Sequence, residues 1–454
     1  MLNPTPVTDP IAARRVAFGI LQAIEGGAFA DVALHRGLAR SHLSGQDRGF
    51  VTELVYGTVR QQRTLDALID VLGTLPATKQ PPMLLLLLRL GLYQLRYLQG
   101  VPASAAVNTT VELAKENRLG RLSGVANGLL RQYIRCQEAG KEPLPLPENP
   151  VAALGIRHSF PDWIVDLWVQ QIGLAEAEQL CQWFNQSPTI DLRVNRHHTS
   201  VEAVQAAFAA AGIDLQPIPG VPYGLRLSSH GGAVNQLPGY DQGWWTVQDA
   251  SAQLVGQLLD PQPGERVLDV CAAPGGKATQ LAELMGDEGR VWACDRTPSR
   301  LKKVRTNAQR LNLASVHIHT GDSRQLRQFH NQADRVLVDA PCSGLGTLHR
   351  HADARWRQHP DTIQDLTQLQ QELLTEAARC VKPDGSLVYA TCTLHSAENE
   401  AVITEFLQSH PEWSVQPVTA TWAEGLDLSP QGWLKIWPHR HRMDGFFMAK
   451  LGQL

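Results

Sequence analysis

The sequence predicts a three-part chain: an all-α bundle at the N-terminus, a small α/β module after it, and a doubly wound α/β domain of Rossmann type in the C-terminal half. Three observations lead there. Apolar residues between 9 and 139 recur at helical spacing, with breakers between the runs. Lys141 to Pro150 carries four prolines in ten residues and reads as a stiff, extended spacer. Beyond residue 239, four apolar runs each end at or just before a carboxylate, at Asp269, Asp295, Asp322 and Asp339, with helical runs between them. The expected boundaries are 1–140 for the bundle, 141–150 for the linker, 151–238 for the small module and 239–454 for the doubly wound domain.

In the first part, Ile11, Val16, Ile20 and Ile24 keep helical spacing, as do Val51, Leu54, Val55 and Val59, and later Leu84, Leu88, Leu92 and Leu95. Gly26-Gly27, Ser44-Gly45, Gly73 with Pro76, Pro81-Pro82, Gly100 with Pro102, and Gly120 separate the runs. From Val151 to Gln186 two helical runs carry Trp163, Trp168 and Trp183, read as core residues. Asp191 to Asn195 reads as a strand, 200–212 as a helix, and Leu225-Arg226-Leu227 as a further strand. Two-residue alternation places Arg193 and Asn195 on one face, where both could reach a phosphate or a base edge. The last part opens with a helix entered through Gln248-Asp249-Ala250-Ser251. Its strands are expected at Val267, Val291 to Asp295, Val316 to Asp322, Arg335 to Pro341 and Ser386 to Ala390, with closing strands near Leu434 to Trp437 and Asp444 to Leu451. Long helices are expected at Asp361 to Val381 and from Glu398 to Gln408.

Composition is that of a globular protein: 454 residues, 43% hydrophobic, 19% charged and a net charge of −3. The charge is uneven. Residues 1–140 hold 15 Lys/Arg against 10 Asp/Glu, a local excess compatible with a phosphate-backbone partner. Seven cysteines with no C-x-x-C spacing argue against a disulfide framework or a zinc site and for a reducing, cytoplasmic setting. The six-residue apolar run Met83 to Leu88 is far short of the roughly 20 residues a bilayer span needs. Arg14-Arg15 is followed by an apolar stretch too soon interrupted by Gln22 and Glu25 for an export signal.

Chemistry concentrates at the ends of the strands. Val267 to Lys277 reads as strand, Ala-Pro-Gly-Gly turn and helix, a unit in which adjacent glycines admit a ligand to the backbone and helix-terminal amides favour negative charge. Asp295, at the tip of the second strand, is placed where a doubly wound fold bonds a ribose. G-x-G-x-x-G is missing, which counts against a dinucleotide. Two cysteines follow strands on that edge, Cys342 in Asp339-Ala340-Pro341-Cys342-Ser343-Gly344 and Cys392 in Thr391-Cys392-Thr393, while Cys136, Cys181, Cys271, Cys294 and Cys380 read as small apolar residues.

These motifs, Cys271-Ala272-Ala273-Pro274-Gly275-Gly276-Lys277 above all, resemble those of RNA 5-methylcytosine methyltransferases of the RsmB (Fmu/Sun) family, which act on small-subunit ribosomal RNA. The N-terminal part resembles the NusB-like RNA-binding domain in Glu53-Leu54-Val55-Tyr56-Gly57, Pro102-Ala103, and Val125-Ala126-Asn127-Gly128-Leu129-Leu130-Arg131, and the resemblance runs on to Asp444-Gly445-Phe446-Phe447. It implies S-adenosylmethionine as cofactor, held by Cys271, Ala272, Ala273, Pro274, Gly275, Gly276 and Lys277, with Asp295 on the ribose, Asp322 near the adenine and Asp339 by the methionine end and the target base. It implies Cys392 as the nucleophile toward cytosine carbon 6, Cys342 as the residue that removes the carbon 5 proton and releases product, and Asp339 as support for the ring nitrogen. It further implies a 16S ribosomal RNA or an assembling subunit as partner, no metal, and a monomer. Ala352 stands where the family often has proline, and the arginines of that loop, Arg350, Arg355 and Arg357, are expected RNA contacts. Competing readings are a paralogue acting on transfer RNA or another ribosomal site, a non-catalytic assembly factor of the same fold, and a nicotinamide dehydrogenase.

Overall fold

A computed structural model describes residues 11–228 and 232–454; residues 9 and 10, expected to begin the first helix, lie outside them. The chain forms two compact units. One holds the chain up to Gln186 together with Leu348–Arg357, and the other holds Ser187–Thr347 with Gln358–Leu454.

The first unit is helical: Ala12–Glu25, Ala30–Ala39, Gly45–Arg60, Gln62–Leu72, Pro82–Tyr97, Ala103–Glu116, Ser123–Glu138, Pro150–His158 and Asp162–Phe184. Helix Pro82–Tyr97 is its centre, with Leu84, Leu87, Leu88, Leu90 and Leu92 all buried. Pro82 supplies a preset φ at a position where no amide partner is lost. Ser44 caps the third helix by accepting from the Asp47 amide at 3.2 Å. Lys141 to Pro150 runs between two helices of this same unit, and the units divide only after helix Asp162–Phe184, which carries Trp163, Trp168 and Trp183 together.

The segment Leu348–Arg357 brings Arg355 into that core and Arg357 to its edge. Arg355 is fully buried and donates to the Ser159 carbonyl (3.0 Å), the Asn185 side chain (3.0 Å) and the Phe184 carbonyl (3.3 Å), with its guanidinium 3.9 Å from the Phe160 ring centre. Arg357 pairs with Asp353 at 2.8 Å and bonds the Gly27 and Ala28 carbonyls. The RNA contact expected of Arg355 is therefore corrected: its guanidinium meets backbone carbonyls that would otherwise be buried unpaired, whereas the Arg357 side chain stays 30% exposed. Ala352, also fully buried, packs in the same core, where a methyl suffices.

The second unit contains two sheets. The small one has strands β1 (Ile190–Val194), β2 (Leu215–Pro217), β3 (Gly224–Leu227) and β4 (Trp245–Val247), antiparallel in the order β2-β3-β1-β4, with helix Val201–Ala210. Arg193 on β1 is buried and binds Glu283 through two contacts of 2.8 Å, together with the Gly276 carbonyl (2.7 Å) and Gln248. Asn195, also buried, donates to the carbonyls of Gly243 and Leu311. Neither reaches outward for a phosphate, because the ferredoxin-sized sheet turns that face onto the larger domain within the same unit.

The large sheet comprises β5 (Arg266–Asp269), β6 (Arg290–Asp295), β7 (Val316–Thr320), β8 (Ala333–Asp339), β9 (Val381–Thr391), β10 (Trp413–Val415), β11 (Asp427–Leu428), β12 (Leu434–Ile436) and β13 (Phe446–Gln453). Its order is β11-β12-β13-β9-β8-β5-β6-β7, with β10 on β13; β9, β8, β5, β6 and β7 are parallel and β13 is antiparallel to β9. Strand order reverses at β5, between β6 and β8. That switch point opens a crevice beyond the carboxyl ends of the strands, where open α/β sheets bind ligands.

Candidate active site

At the switch point lies a cavity of about 540 Å³, lined among others by Cys271, Ala273, Lys277, Asp295, Asp322, Asp339, Cys342 and Cys392. Of the residues expected to hold a cofactor, Ala272, Pro274, Gly275 and Gly276 are not on its wall; they shape the turn behind it. Gly275 has φ +109° and precedes helix Gly276–Leu284. A Cβ there would lie 2.9 Å from the Val304 Cα, so only glycine lets helix Pro298–Arg310 close on the turn.

The acids differ in setting. Asp269 is fully buried at the end of β5, and one carboxylate oxygen has no hydrogen-bond partner. Burial, then the Asp339 charge, push its carboxyl up to about 8. Asp295 accepts from the Thr297 amide and from Arg300, both at 2.8 Å. Asp322 is gripped by Arg324 at 2.6 Å, which holds its carboxyl below the usual range. Asp339 accepts from the Lys277 ammonium at 2.8 Å, which also lies 5.0 Å from the Phe446 ring centre. Burial alone would lower the Lys277 ammonium; the Asp339 carboxylate outweighs it and holds Lys277 above its ordinary value.

Register brings the two strand-end cysteines together. Asp339 on β8 lies opposite Ala390 on β9, so a few residues of onward chain carry both thiols to one place, and their sulfurs stand 3.4 Å apart. The Cys342 thiol is pushed well above its usual range, first by its hydrogen bond with Cys392, then by burial and the Cys392 and Glu398 charges.

Glu398 escaped the reading of the sequence. It is fully buried and accepts from the Ser343 amide (2.8 Å), the Ser343 hydroxyl, the Thr393 hydroxyl (3.2 Å) and Gln370 (3.1 Å). Ser343 and Thr393 each directly follow a cysteine, so one carboxylate ties both loops. Burial outweighs these donors and holds the Glu398 carboxyl above its ordinary value. The signal in the sequence was the Ser and Thr after each cysteine, but their partner lies on a 3₁₀ turn that no motif spacing reveals.

A doubly wound sheet with a glycine turn, a strand-end acid and a cleft at its switch point, closed by an antiparallel strand, is a Rossmann-type fold of the kind methyltransferases use. The chain belongs to the 16S rRNA methyltransferase RsmB/F family, whose model matches residues 256–452; the NusB family matches 11–135 and the RsmF/B-like ferredoxin-like domain 160–234. It is 52% identical to a probable ribosomal RNA small subunit methyltransferase B of Synechocystis sp., over 97% of this chain and 99% of that one. The corresponding protein of Bacillus subtilis is 35% identical, over 95% and 96%. Among solved structures, PH0851 superposes with TM-score 0.82 at 27% identity, covering 99% of this chain and all of that one. A methyltransferase homolog from Pyrococcus horikoshii does so with TM-score 0.60 at 28%, covering 68% and 100%. Among the described residues no helix is long and apolar enough to cross a membrane and no cluster of His, Cys, Asp or Glu could hold a metal.

Proposed function

We propose that this rRNA methyltransferase transfers a methyl group from S-adenosylmethionine to carbon 5 of a cytosine in 16S ribosomal RNA, through a covalent adduct with Cys392. The observation that carries the reading is the pair of sulfurs 3.4 Å apart beside the Lys277–Asp339 ion pair on one cavity wall. The residues present fit the cofactor. The cavity is of the size that takes such a ligand, and Asp295 on its wall stands at the second strand tip, the place where doubly wound folds bind a ribose. S-adenosylmethionine, when bound, supplies an electrophilic methyl group.

Cytosine carbon 5 is a weak nucleophile, so the Cys392 thiolate first adds to carbon 6 and raises electron density at carbon 5. Asp339 supports the ring nitrogen as negative charge grows there, with the Lys277 ammonium 2.8 Å away as the donor that can supply the proton. After methylation Cys342, as thiolate, takes the carbon 5 proton; the electrons of that C–H bond re-form the ring double bond, and the Cys392–carbon 6 bond breaks. The Cys342 thiol gives its proton to solvent before the step, and because it is held well above its usual range, the thiolate so formed is a strong base toward the carbon 5 proton. The ring must be splayed from its stack for either sulfur to reach it. In this reading 1–140 is an RNA-binding module, 151–238 a recognition module joined by linker 141–150, and 239–454 the catalytic domain; the enzyme acts as a cytoplasmic monomer on rRNA or an assembling subunit.

The test uses two variants and RNA resolved on denaturing gels. Cys392→Ala should abolish methylation and trap no RNA. Cys342→Ala should accumulate a covalent protein–RNA species, lost again in the double variant. Trapping by Cys392→Ala alone would reverse the roles, and trapping by neither would remove covalent catalysis by this pair. Bisulfite mapping of 16S rRNA with and without the protein identifies the base.

A further inference from the structure

A second cavity, of about 330 Å³, opens on the large sheet at the amino-terminal ends of β5 and β6, away from the thiols. It exists because of a short connection. Between β7 and β8 the chain forms only the turn Arg327–Phe329 where a doubly wound fold usually lays a helix, so the face carrying Trp292 and His319 stays partly open. Trp292 and Phe329 ring centres lie 5.3 Å apart, as do His319 and Phe329, giving an aromatic wall.

Two exposed arginines stand on its rim. Arg266 and Arg290 are direct register partners on neighbouring parallel strands, and among the described residues neither side chain makes an ion pair. Like charges placed opposite one another destabilise a sheet, and no Asp or Glu lines the cavity. The nearby acids have nearer partners: Asp334 accepts from the Arg266 amide (2.8 Å) and from Lys382 (2.5 Å), the Arg266 charge adding to these from further off, and Glu265 pairs with Arg335 (3.0 Å). Arg290 lies over the Trp292 ring, 5.7 Å from its centre, and two exposed guanidiniums outside any short ion pair beside an aromatic wall suit a phosphate and the base attached to it.

We propose that this face is a second RNA contact, holding a base and its phosphate from a single-stranded segment of the ribosomal RNA substrate outside the segment that enters the catalytic cleft. It rests on the reading of the chain as acting on RNA. Arg266 and Arg290 neutralise phosphates and Trp292 stacks a base.

The full-length protein is titrated with a fluorescent single-stranded RNA decamer, without methyl donor, over a range of salt. Arg266→Gln/Arg290→Gln should weaken binding and flatten the log–log salt slope by about 1.4, the value for two phosphates on a single strand. Trp292→Leu, which leaves charge alone, should weaken binding about tenfold, and Trp292→Phe should restore most of it. Lys302→Gln/Lys303→Gln, which removes two exposed cations from helix Pro298–Arg310, should change the slope less. Equal slope losses for the two double variants together with no effect of Trp292→Leu would overturn the proposal. So would protection of Trp292 by AMP with RNA affinity unchanged in every variant, which would assign the pocket to a free nucleotide. Because no methyl transfer is read, failure here leaves the cysteine experiment untouched; a wild-type protein that binds no RNA would strike the function itself.

Discussion

Arginines in two regions of this molecule look alike in the sequence and do opposite work. Arg193 and Arg355 are 3% and 0% exposed and bind carbonyls, amides or a buried carboxylate. Arg300 and Arg324, which line the cavity at the switch point, have side chains 55% and 44% exposed and pair with acids on its wall. The difference lies in the partners the fold supplies. A guanidinium is buried only where several acceptors can meet its fork at once; at the cleft Arg300 meets Asp295 and the Ala273 carbonyl, and Arg324 meets Asp322 and Glu372, with about half of each side chain left exposed. The first kind should govern stability and the second ligand binding.

The largest effect expected is therefore at a residue remote from chemistry. Arg355→Ala strands the Ser159 and Phe184 carbonyls and leaves a cavity against Phe160, and should cost about 3–5 kcal/mol of unfolding free energy in urea. Cofactor affinity of the folded fraction should be unchanged. A loss below about 1 kcal/mol would mean that the burial cost of the charge equals what its bonds return, and the comparison would break.

Asp295→Ala should show the reverse: native-like unfolding, with S-adenosylmethionine binding weakened by about 1.5–3 kcal/mol, the scale of a hydrogen bond to a charged group. Calorimetry giving unchanged affinity would remove Asp295 from the ribose.

How much of this was legible beforehand follows the same division. Strand-end acids, the glycine turn and both cysteines could be read because a parallel sheet sends every strand's C-terminal end to one edge, so local sequence fixes their place. The destinations of Arg193, Asn195 and Arg355 could not, since the partners lie far away in sequence: Glu283, Leu311, and the carbonyls of Ser159 and Phe184. Glu398 was hidden for that reason too. The long helices were legible from their periodicity, whereas three-residue strands such as β2 and β10 carry too few side chains for an alternation to show. Nor does any local pattern announce that Leu348–Arg357 packs with the helical unit.

Asp269 sharpens the contrast, being a buried charge site whose partners do not suffice. Its carboxyl is raised to about 8 from 3.8. Between those values the folded chain keeps a proton that the unfolded chain has released, so this group's contribution to stability falls as pH rises, by at most about 1.4 kcal/mol per pH unit. Below pH 4 both states are protonated, and above 8 the loss is complete. Asp269→Asn removes the titration, so its melting temperature should gain on wild type between pH 6 and pH 8. Parallel melting curves across that range would show a carboxylate ionised in the fold.

The smallest effect expected is at Arg300, and it decides whether exposure is the right dividing line. Arg300 bonds Asp295 at 2.8 Å and the Ala273 carbonyl at 2.9 Å, contacts as short as those of Arg355. If distance set the energy, both arginines would matter alike. With its side chain half in water, however, the Arg300 guanidinium gives up hydration and rotamer freedom for each contact it makes, and salt screens what remains, so such pairs contribute roughly 0–1 kcal/mol. Arg300→Gln should therefore leave unfolding within about 1 kcal/mol of wild type. It should also leave Asp295 free to accept from a ribose, so cofactor affinity should move far less than in Asp295→Ala. A loss of stability approaching that of Arg355→Ala, in urea melts run side by side at low and high salt, would show that contact geometry and not burial ranks these arginines.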